Sequence, residues 1–290
     1  MKKIISIIGI TSSGKSDLAI FLARKFSGEI VSADSRQVYV GLDWCSGKVT
    51  KQEQKIVPHH LIDVAKIGER FTLFDFQKQA YEAIDKILEK NKLPILCGGT
   101  GLYSRSVVEG YNLAEGKEDS ELRSMLQNKT LEELENLCKE KGIEFSSEPT
   151  KRRLIRLLEK QESGEKESEP RYEVLQIGIK FSREEIYERI KIRLEKRMPN
   201  MIKEIDELIK GGADVDFLKS LGLEAKLVTE YLQGEFESYD AFFEELYKQE
   251  RHFAKRQNTW YNKEKNVVWL DANDDLYKNA ESKVKQFLAD

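Results

Sequence analysis

The segment Gly9-Ile10-Thr11-Ser12-Ser13-Gly14-Lys15-Ser16 follows the apolar run Ile4 to Ile8 and precedes a helical pattern through Leu18, Phe21 and Leu22. No other stretch restricts the fold as tightly. The spacing G-x-x-x-x-G-K-[ST] requires a strand that delivers a glycine-bounded turn to a helix N-terminus, where backbone N–H groups and the positive dipole end converge on an oligophosphate. Thr11, Ser12, Ser13 and Gly14 make the cradle, Lys15 adds a point charge, and Ser16 offers an oxygen to Mg²⁺. A nucleoside triphosphate is the usual occupant of such a cradle, and a pyrophosphate ester fits it as well.

The chain then repeats the strand-then-polar-turn pattern. Glu29 to Ala33 reads as a short buried strand, followed at once by Asp34-Ser35-Arg36-Gln37-Val38-Tyr39. Ligands of open parallel sheets sit beyond the carboxyl ends of the strands, so Asp34 should share a crevice with the phosphate loop, although Asp also favours turn and cap positions. Leu93 to Cys97 is a further buried strand running into Gly98-Gly99-Thr100-Gly101, a second glycine-rich turn that opens a helix. Between them the spacing of Phe76, Ala80, Ala83, Ile84, Ile87 and Leu88 predicts a helix over 71–91. Pro58-His59-His60-Leu61-Ile62-Asp63 holds two of the three histidines without a third ligand nearby, which argues against a metal site there.

From Asn112 to about Pro170 strand patterns give way to charged amphipathic helices. Thr130-Leu131-Glu132-Glu133 is a capping box with Gly142 as the stop, Thr150-Lys151-Arg152-Arg153-Leu154-Ile155-Arg156 opens a helix with a cationic face, and Glu159 to Glu169 reads as an exposed loop. Alternation at Leu175, Ile177, Ile179 and Phe181 then returns the chain to a strand. The expected architecture is α/β: a P-loop NTPase-like parallel sheet flanked by helices, built from 1–111 and 171–290, with an inserted all-helical domain at 112–170.

Arg183 to Met198 is predicted helical, with Arg189, Arg193 and Arg197 aligned beside the apolar stripe and Pro199 expected to end or kink the helix. The arginine stripe suits a solvated face or an anion partner. A later helix is expected to bury Phe243, Leu246, Phe253 and Trp260, and Val267 to Asp271 is a final strand.

A net charge of -3 over 290 residues gives no global sign of a nucleic-acid partner, so such a partner must be recognised by local basic clusters. Three scattered cysteines without a CxxC suggest neither a disulfide framework nor a zinc site, and a reducing cytoplasm is the simplest home. The apolar run after Met1-Lys2-Lys3 is too short for a signal peptide, and no segment reaches membrane-spanning length.

Taken together, these residues resemble the tRNA dimethylallyltransferases. The resemblance covers nearly the whole chain and rests on Gly9 to Ser16, Asp34 to Tyr39, Pro58-His59 with Asp63, Asp75-Phe76, Gly98 to Tyr103, Arg189-Ile190 with Arg193, and Ala254-Lys255-Arg256-Gln257 with Thr259-Trp260. It implies that Thr11 to Ser16 cradle the pyrophosphate of dimethylallyl diphosphate with Mg²⁺ and that Asp34 is the general base. Thr100 would bond the bridging oxygen, and Arg193 would clamp the pyrophosphate. Arg36, Gln37 and Tyr39 would lie around a flipped adenine, Asp34, Ser35 and Thr100 would also contact the tRNA, and Arg123, Arg152, Arg153 and Arg156 would hold the anticodon stem-loop. The inserted helices would be the family's tRNA-gripping domain, and a monomer is the default state.

The chain departs from the family pattern in four places: Ile10 stands for Pro, Ser16 for Thr, Ser147-Glu148-Pro149-Thr150 for a His-Pro-Asn-Asp segment, and Gly222-Leu223-Glu224 for Gly-Tyr and a basic residue. Three rivals remain at this point. A P-loop small-molecule kinase accounts for the first half of the chain, a noncatalytic RNA-binding module leaves Lys15 and Asp34 without a role, and an adenylate prenyltransferase leaves the basic insertion without one.

Overall fold

The computed structural model describes residues 1–113, 120–163, 169–273 and 275–290. Within these, the chain runs β1 (Lys3–Ile8), α1 (Lys15–Lys25), β2 (Glu29–Ser32), α2 (Lys51–Ile56), β3 (His59–His60), α3 (Leu73–Glu89), β4 (Pro94–Cys97) and α4 (Gly101–Val108). Then come α5 (Ser120–Gln127), α6 (Leu131–Glu140), α7 (Lys151–Ser163), β5 (Glu173–Lys180), α8 (Arg183–Lys210), α9 (Val215–Ser220), α10 (Leu223–Leu232), α11 (Tyr239–Tyr261), β6 (Val267–Asp271) and α12 (Leu276–Ala289). They form two compact units, Met1–Val108 with Pro170–Asp290, and Glu109–Glu169.

The first unit is built on a six-stranded sheet in the order β3-β2-β4-β1-β5-β6, with every neighbouring pair parallel. Parallel strands are covered on both faces, which is why β1 is apolar almost throughout: Ile4, Ile5, Ile7 and Ile8 are all buried. One face packs Leu18 and Leu22 of α1 with Ala280 and Val284 of α12. The other packs Phe76 and Ile84 of α3 with Tyr103 and Val107 of α4, where Phe76 and Tyr103 stack at 4.1 Å. A third cluster joins Ile190, Leu194, Met198 and Ile205 of α8 to Leu218, Val228, Phe242 and Leu246 of α9, α10 and α11.

Two expectations for these helices are corrected. Pro199, expected to end or kink the helix, does not end it; it lies inside a helix of 28 residues. Interior proline costs ~3 kcal/mol, but Met198, Met201 and Ile205 beside it are fully buried, and burial of side chains of this size stabilises by roughly 1.5–3 kcal/mol each. Packing therefore outweighs the local penalty. On α11 the buried face is Phe242, Leu246, Glu250, Ala254, Gln257 and Tyr261, whereas Phe253 and Trp260 are exposed. Glu250 and Gln257 lie on the interior face, and the expected aromatics Phe253 and Trp260 do not.

α3 spans a shorter stretch than expected because Thr72 and Asp75 form a reciprocal capping box at its start and Asn91 adopts a left-handed conformation just beyond its end.

The second unit holds α5, α6 and α7 around Leu126, Leu134, Cys138, Leu154, Ile155 and Leu158. Thr130 and Glu133 form the expected capping box of α6. α7 continues to Ser163, into the stretch expected as loop; 164–168 lies outside the described residues.

Candidate active site

The carboxyl ends of β1, β2 and β4 deliver the three polar segments singled out above to one cavity of about 1090 Å³ in the first unit. β1 lies between β4 and β5, while the next strand in sequence, β2, lies beyond β4. Such a break in strand order opens a crevice above the strand ends. The cavity is lined by Thr11 to Asp17, by Asp34 to Gln37, by Gly98 to Leu102 and by Arg189, Arg193 and Arg197.

The phosphate loop owes its shape to Gly14, which sits at φ 79° as the N-cap of α1, a conformation that costs glycine little. Lys15 folds back so that Nζ donates to the Ile10 carbonyl at 2.6 Å. Burial pushes its pKa down to about 8, the charge of Arg193 adds to the fall, and the Cys97 and Asp34 sites oppose it. Ser13 is buried and its Oγ has no hydrogen-bond partner.

α8 lies across this loop. Arg193 Nη1 donates to Thr11 Oγ1 at 2.9 Å and Ser12 Oγ at 3.4 Å, and Arg189 Nε donates to the Ser12 carbonyl at 2.7 Å. Arg197 instead donates to the Trp44 carbonyl. Burial, then the charge of Arg197, lowers the Arg193 pKa to about 10, so it remains cationic at neutral pH. The arginine stripe is thus directed inward at the cradle and the neighbouring loop. The 43–45 segment of that loop is gripped from below by Glu204, whose carboxylate accepts from the backbone N–H of Asp43, Trp44 and Cys45 at 2.6, 2.7 and 2.9 Å.

Asp34 combines the two roles its sequence position allowed. Its Oδ1 accepts from the Arg36 backbone N–H at 2.9 Å, closing a local turn. Its Oδ2 lies on the Gly99 side, 3.4 Å from where a Cβ of that residue would stand. Thr100 joins the same group: Oγ1 accepts from Ser35 N–H at 3.0 Å and donates to Ser35 Oγ at 3.2 Å. Glycine at 98 permits this approach, because a Cβ there would collide with the Ala33 backbone.

Not every expected residue reaches the cavity. Tyr39 is buried against Phe217, with ring centroids 5.9 Å apart, and is absent from the lining, while its carbonyl accepts from Lys48 Nζ at 2.8 Å. Arg36 and Gln37 do line the cavity. Gln37 Oε1 accepts from Ser32 Oγ at 3.1 Å, and Arg36 crosses Gly222, with Nε 2.8 Å from a Cβ built there. In the second unit Arg152, Arg153 and Arg156 are exposed on α7, while Arg123 pairs with Glu159 at 3.6 Å.

Sequence reasoning missed Gln257, buried on α11 between the two glycine turns, and the rim formed by Leu102, Ile192, Phe253 and Trp260. The latter signal was present as aromatic residues interleaved with Lys255 and Arg256, but hydropathy placed them in the core. Trp260 packs directly on Gly101 and beneath the Arg105 guanidinium, 4.9 Å from the ring centroid.

The family profile described as IPP transferase matches residues 37–264. The chain is 40% identical to "tRNA dimethylallyltransferase 2" of Treponema denticola, over 91% of this chain and 93% of that protein. It is also 40% identical to "tRNA dimethylallyltransferase" of Lactococcus lactis, over 99% and 98%. The crystal structure of a tRNA isopentenylpyrophosphate transferase from Bacillus halodurans superposes with a TM-score of 0.75 at 32% identity, covering 100% of this chain and 96% of that one. A eukaryotic dimethylallyltransferase acting on tRNA shares the fold, with a TM-score of 0.83 at 23% identity and coverage of 100% and 80%. With a family model matching most of its length and relatives 40% identical over nearly the whole chain, the chain belongs to the tRNA dimethylallyltransferase family.

Proposed function

We propose that this protein transfers a dimethylallyl group from dimethylallyl diphosphate to the exocyclic N6 of the adenosine 3′ to the anticodon in tRNA, releasing diphosphate. The observation that carries the reading is the convergence of the phosphate loop, Arg193 and Asp34 on one cavity. A kinase needs the loop and a metal-binding carboxylate; it has no evident use for Arg193 bonded to Thr11 and Ser12 beside a second glycine turn. Relatives named for this reaction match along nearly the whole chain, which also favours it over a free-nucleotide acceptor.

Each residue has a role in this reading. The N6 lone pair attacks the allylic carbon as the carbon–oxygen bond to diphosphate breaks, and Asp34 takes the proton that nitrogen must shed. The leaving diphosphate lies against the loop's N–H groups, Lys15 and Arg193, where fixed positive charge neutralises what develops on the bridging oxygen. Thr100 turns its hydroxyl from Ser35 to that oxygen. Ser13 supplies a hydroxyl otherwise without a partner.

The donor set also fits Mg²⁺, a hard cation: Ser16 places a hydroxyl in the cavity, and the remaining ligands would be diphosphate oxygens and water. When bound, the ion would supply further charge neutralisation on the diphosphate.

The acceptor base must leave its stack to reach Asp34, and the aromatic rim of Phe253 and Trp260 offers surfaces on which nucleobases stack. The Arg152, Arg153 and Arg156 face of the inserted unit would grip the stem-loop phosphates, with the protein acting as a monomer. Among the described residues no helix is long and apolar enough to cross a membrane; a cytoplasmic location is part of this proposal. Incubation with donor, Mg²⁺ and unmodified tRNA, followed by nucleoside analysis, tests the assignment.

A further inference from the structure

Gln257 is 7% exposed and joins two loops that the reaction would keep apart. Its Oε1 accepts from the Thr11 backbone N–H at 2.8 Å, and its Nε2 donates to the Gly99 carbonyl at 2.9 Å. The partners fix the amide's orientation, because a backbone N–H can only donate and a carbonyl only accept. Thr11 opens the leaving-group cradle, and its Oγ1 is held by Arg193. Gly99 lies between Gln257 and Asp34: a Cβ built on it would be 3.5 Å from Gln257 Nε2 and 3.4 Å from Asp34 Oδ2. Its neighbour Thr100 is anchored to the residues flanking Asp34, through the Ala33 carbonyl at 3.2 Å and the Ser35 N–H at 3.0 Å. On the same helix Phe253, Arg256 and Trp260 line the cavity.

One side chain thus ties the diphosphate loop to the turn beside the base. The Thr11 N–H is committed to Gln257, and the Ser13 N–H to the Ile10 carbonyl at 3.4 Å.

We propose that Gln257 is a positioning residue that sets the separation between the leaving-group cradle and the Asp34–Thr100 side, so that the allylic carbon meets the acceptor amine before it meets water. This rests on the transfer reaction proposed above. Displacement of diphosphate from the donor has two outcomes. The amine forms the carbon–nitrogen bond and gives its proton to Asp34, or water forms a carbon–oxygen bond, loses a proton to solvent and yields dimethylallyl alcohol. Both release diphosphate. Loosening the tie favours the second, since misplacement by about 1 Å can slow an oriented reaction ~10²-fold.

The test uses the full chain with Gln257→Met, which keeps volume and removes both hydrogen bonds, and Gln257→Glu, which keeps the acceptor for Thr11 and loses the donor to Gly99. Asn258→Ala, exposed on the same helix, is the control. Radiolabelled dimethylallyl diphosphate reports prenylated tRNA and free alcohol in one reaction, alongside donor affinity by calorimetry and the melting temperature. Both Gln257 variants are expected to lower kcat for transfer about 30- to 100-fold, to raise the alcohol-to-nucleoside ratio about tenfold or more, and to leave donor Kd within about threefold. A ratio unchanged from wild type in the Glu variant, or one that shifts equally in Asn258→Ala, overturns the inference while wild-type transfer still stands. Absence of transfer by the wild type overturns the functional reading and this inference with it.

Discussion

Arg193 and Thr11 are 182 residues apart in sequence, yet Nη1 of one lies 2.9 Å from Oγ1 of the other. This bond fastens α8 to the third residue of the segment that the P-loop signature singled out. Nη1 serves both Thr11 and Ser12, and lysine in its place keeps a charge but lacks the remaining planar guanidinium donors. Arg193→Lys is expected to lower kcat/KM for dimethylallyl diphosphate ~10-fold and Arg193→Gln ~10²–10³-fold, the range for loss of a donor aimed at developing charge. Steady-state kinetics with tRNA held at saturation measures both.

Asp34→Asn separates the turn-closing role of this side chain from its chemical one. Asparagine still offers an oxygen to the Arg36 N–H that Asp34 Oδ1 now accepts, so the local turn is retained. A lost general base lowers kcat ~10²–10⁴-fold, with donor Kd expected within about threefold. Parallel losses in kcat, donor binding and melting temperature would reduce Asp34 to a cap.

Much of the fold was legible because its signals are local. A parallel sheet buried on both faces writes itself as short apolar runs such as Ile4 to Ile8 and Leu93 to Cys97, and the glycine-rich segments mark where those runs end. That logic placed Asp34 in one crevice with the loop at residues 9–16, whereas the Thr100 turn was assigned a role there through the family resemblance. Legibility ended where long-range packing overrides local preference. Pro199 is a helix breaker by its own chemistry, yet it lies inside α8 because Met198, Met201 and Ile205 are buried around it. Gln257 carries no hydropathy signal of burial; it is interior because Thr11 and Gly99 complete its hydrogen bonds. Phe253 and Trp260 were misplaced for the opposite reason, since aromatic side chains at a cavity rim look in sequence like core.

Glu29 makes acid stability measurable. Burial alone would raise its carboxyl pKa, but hydrogen bonds from Lys92, His60 and Lys90 outweigh burial and hold it at about 2, below the 4.5 of the unfolded chain. A depressed carboxyl pKa contributes stability above pH 4.5 that is lost as pH falls through about 2. The difference corresponds to roughly 3 kcal/mol. Glu29→Gln should therefore be less stable at pH 7 by about that amount and show a flatter loss of stability on acidification, as read by urea unfolding at pH 7 and pH 3. The Lys90 and Lys92 side chains are 53% and 40% exposed, so they remain solvated in the variant.

The α7 face gives a prediction about salt. Arg152 and Arg153 are exposed, and phosphate contacts by such residues release counterions on binding. Replacing both with alanine should weaken tRNA binding and reduce the slope of log K against log salt by ~1–2, with dimethylallyl diphosphate affinity unchanged. An unaltered slope would return this face to the solvent.

The most direct test of the central claim is nucleoside analysis of unmodified tRNA after incubation with the purified protein, dimethylallyl diphosphate and Mg²⁺. The account predicts one N6-dimethylallyl adenosine per tRNA, immediately 3′ of the anticodon, with one diphosphate released for each. Consumption of ATP on a small acceptor, with no prenylated nucleoside, would contradict it.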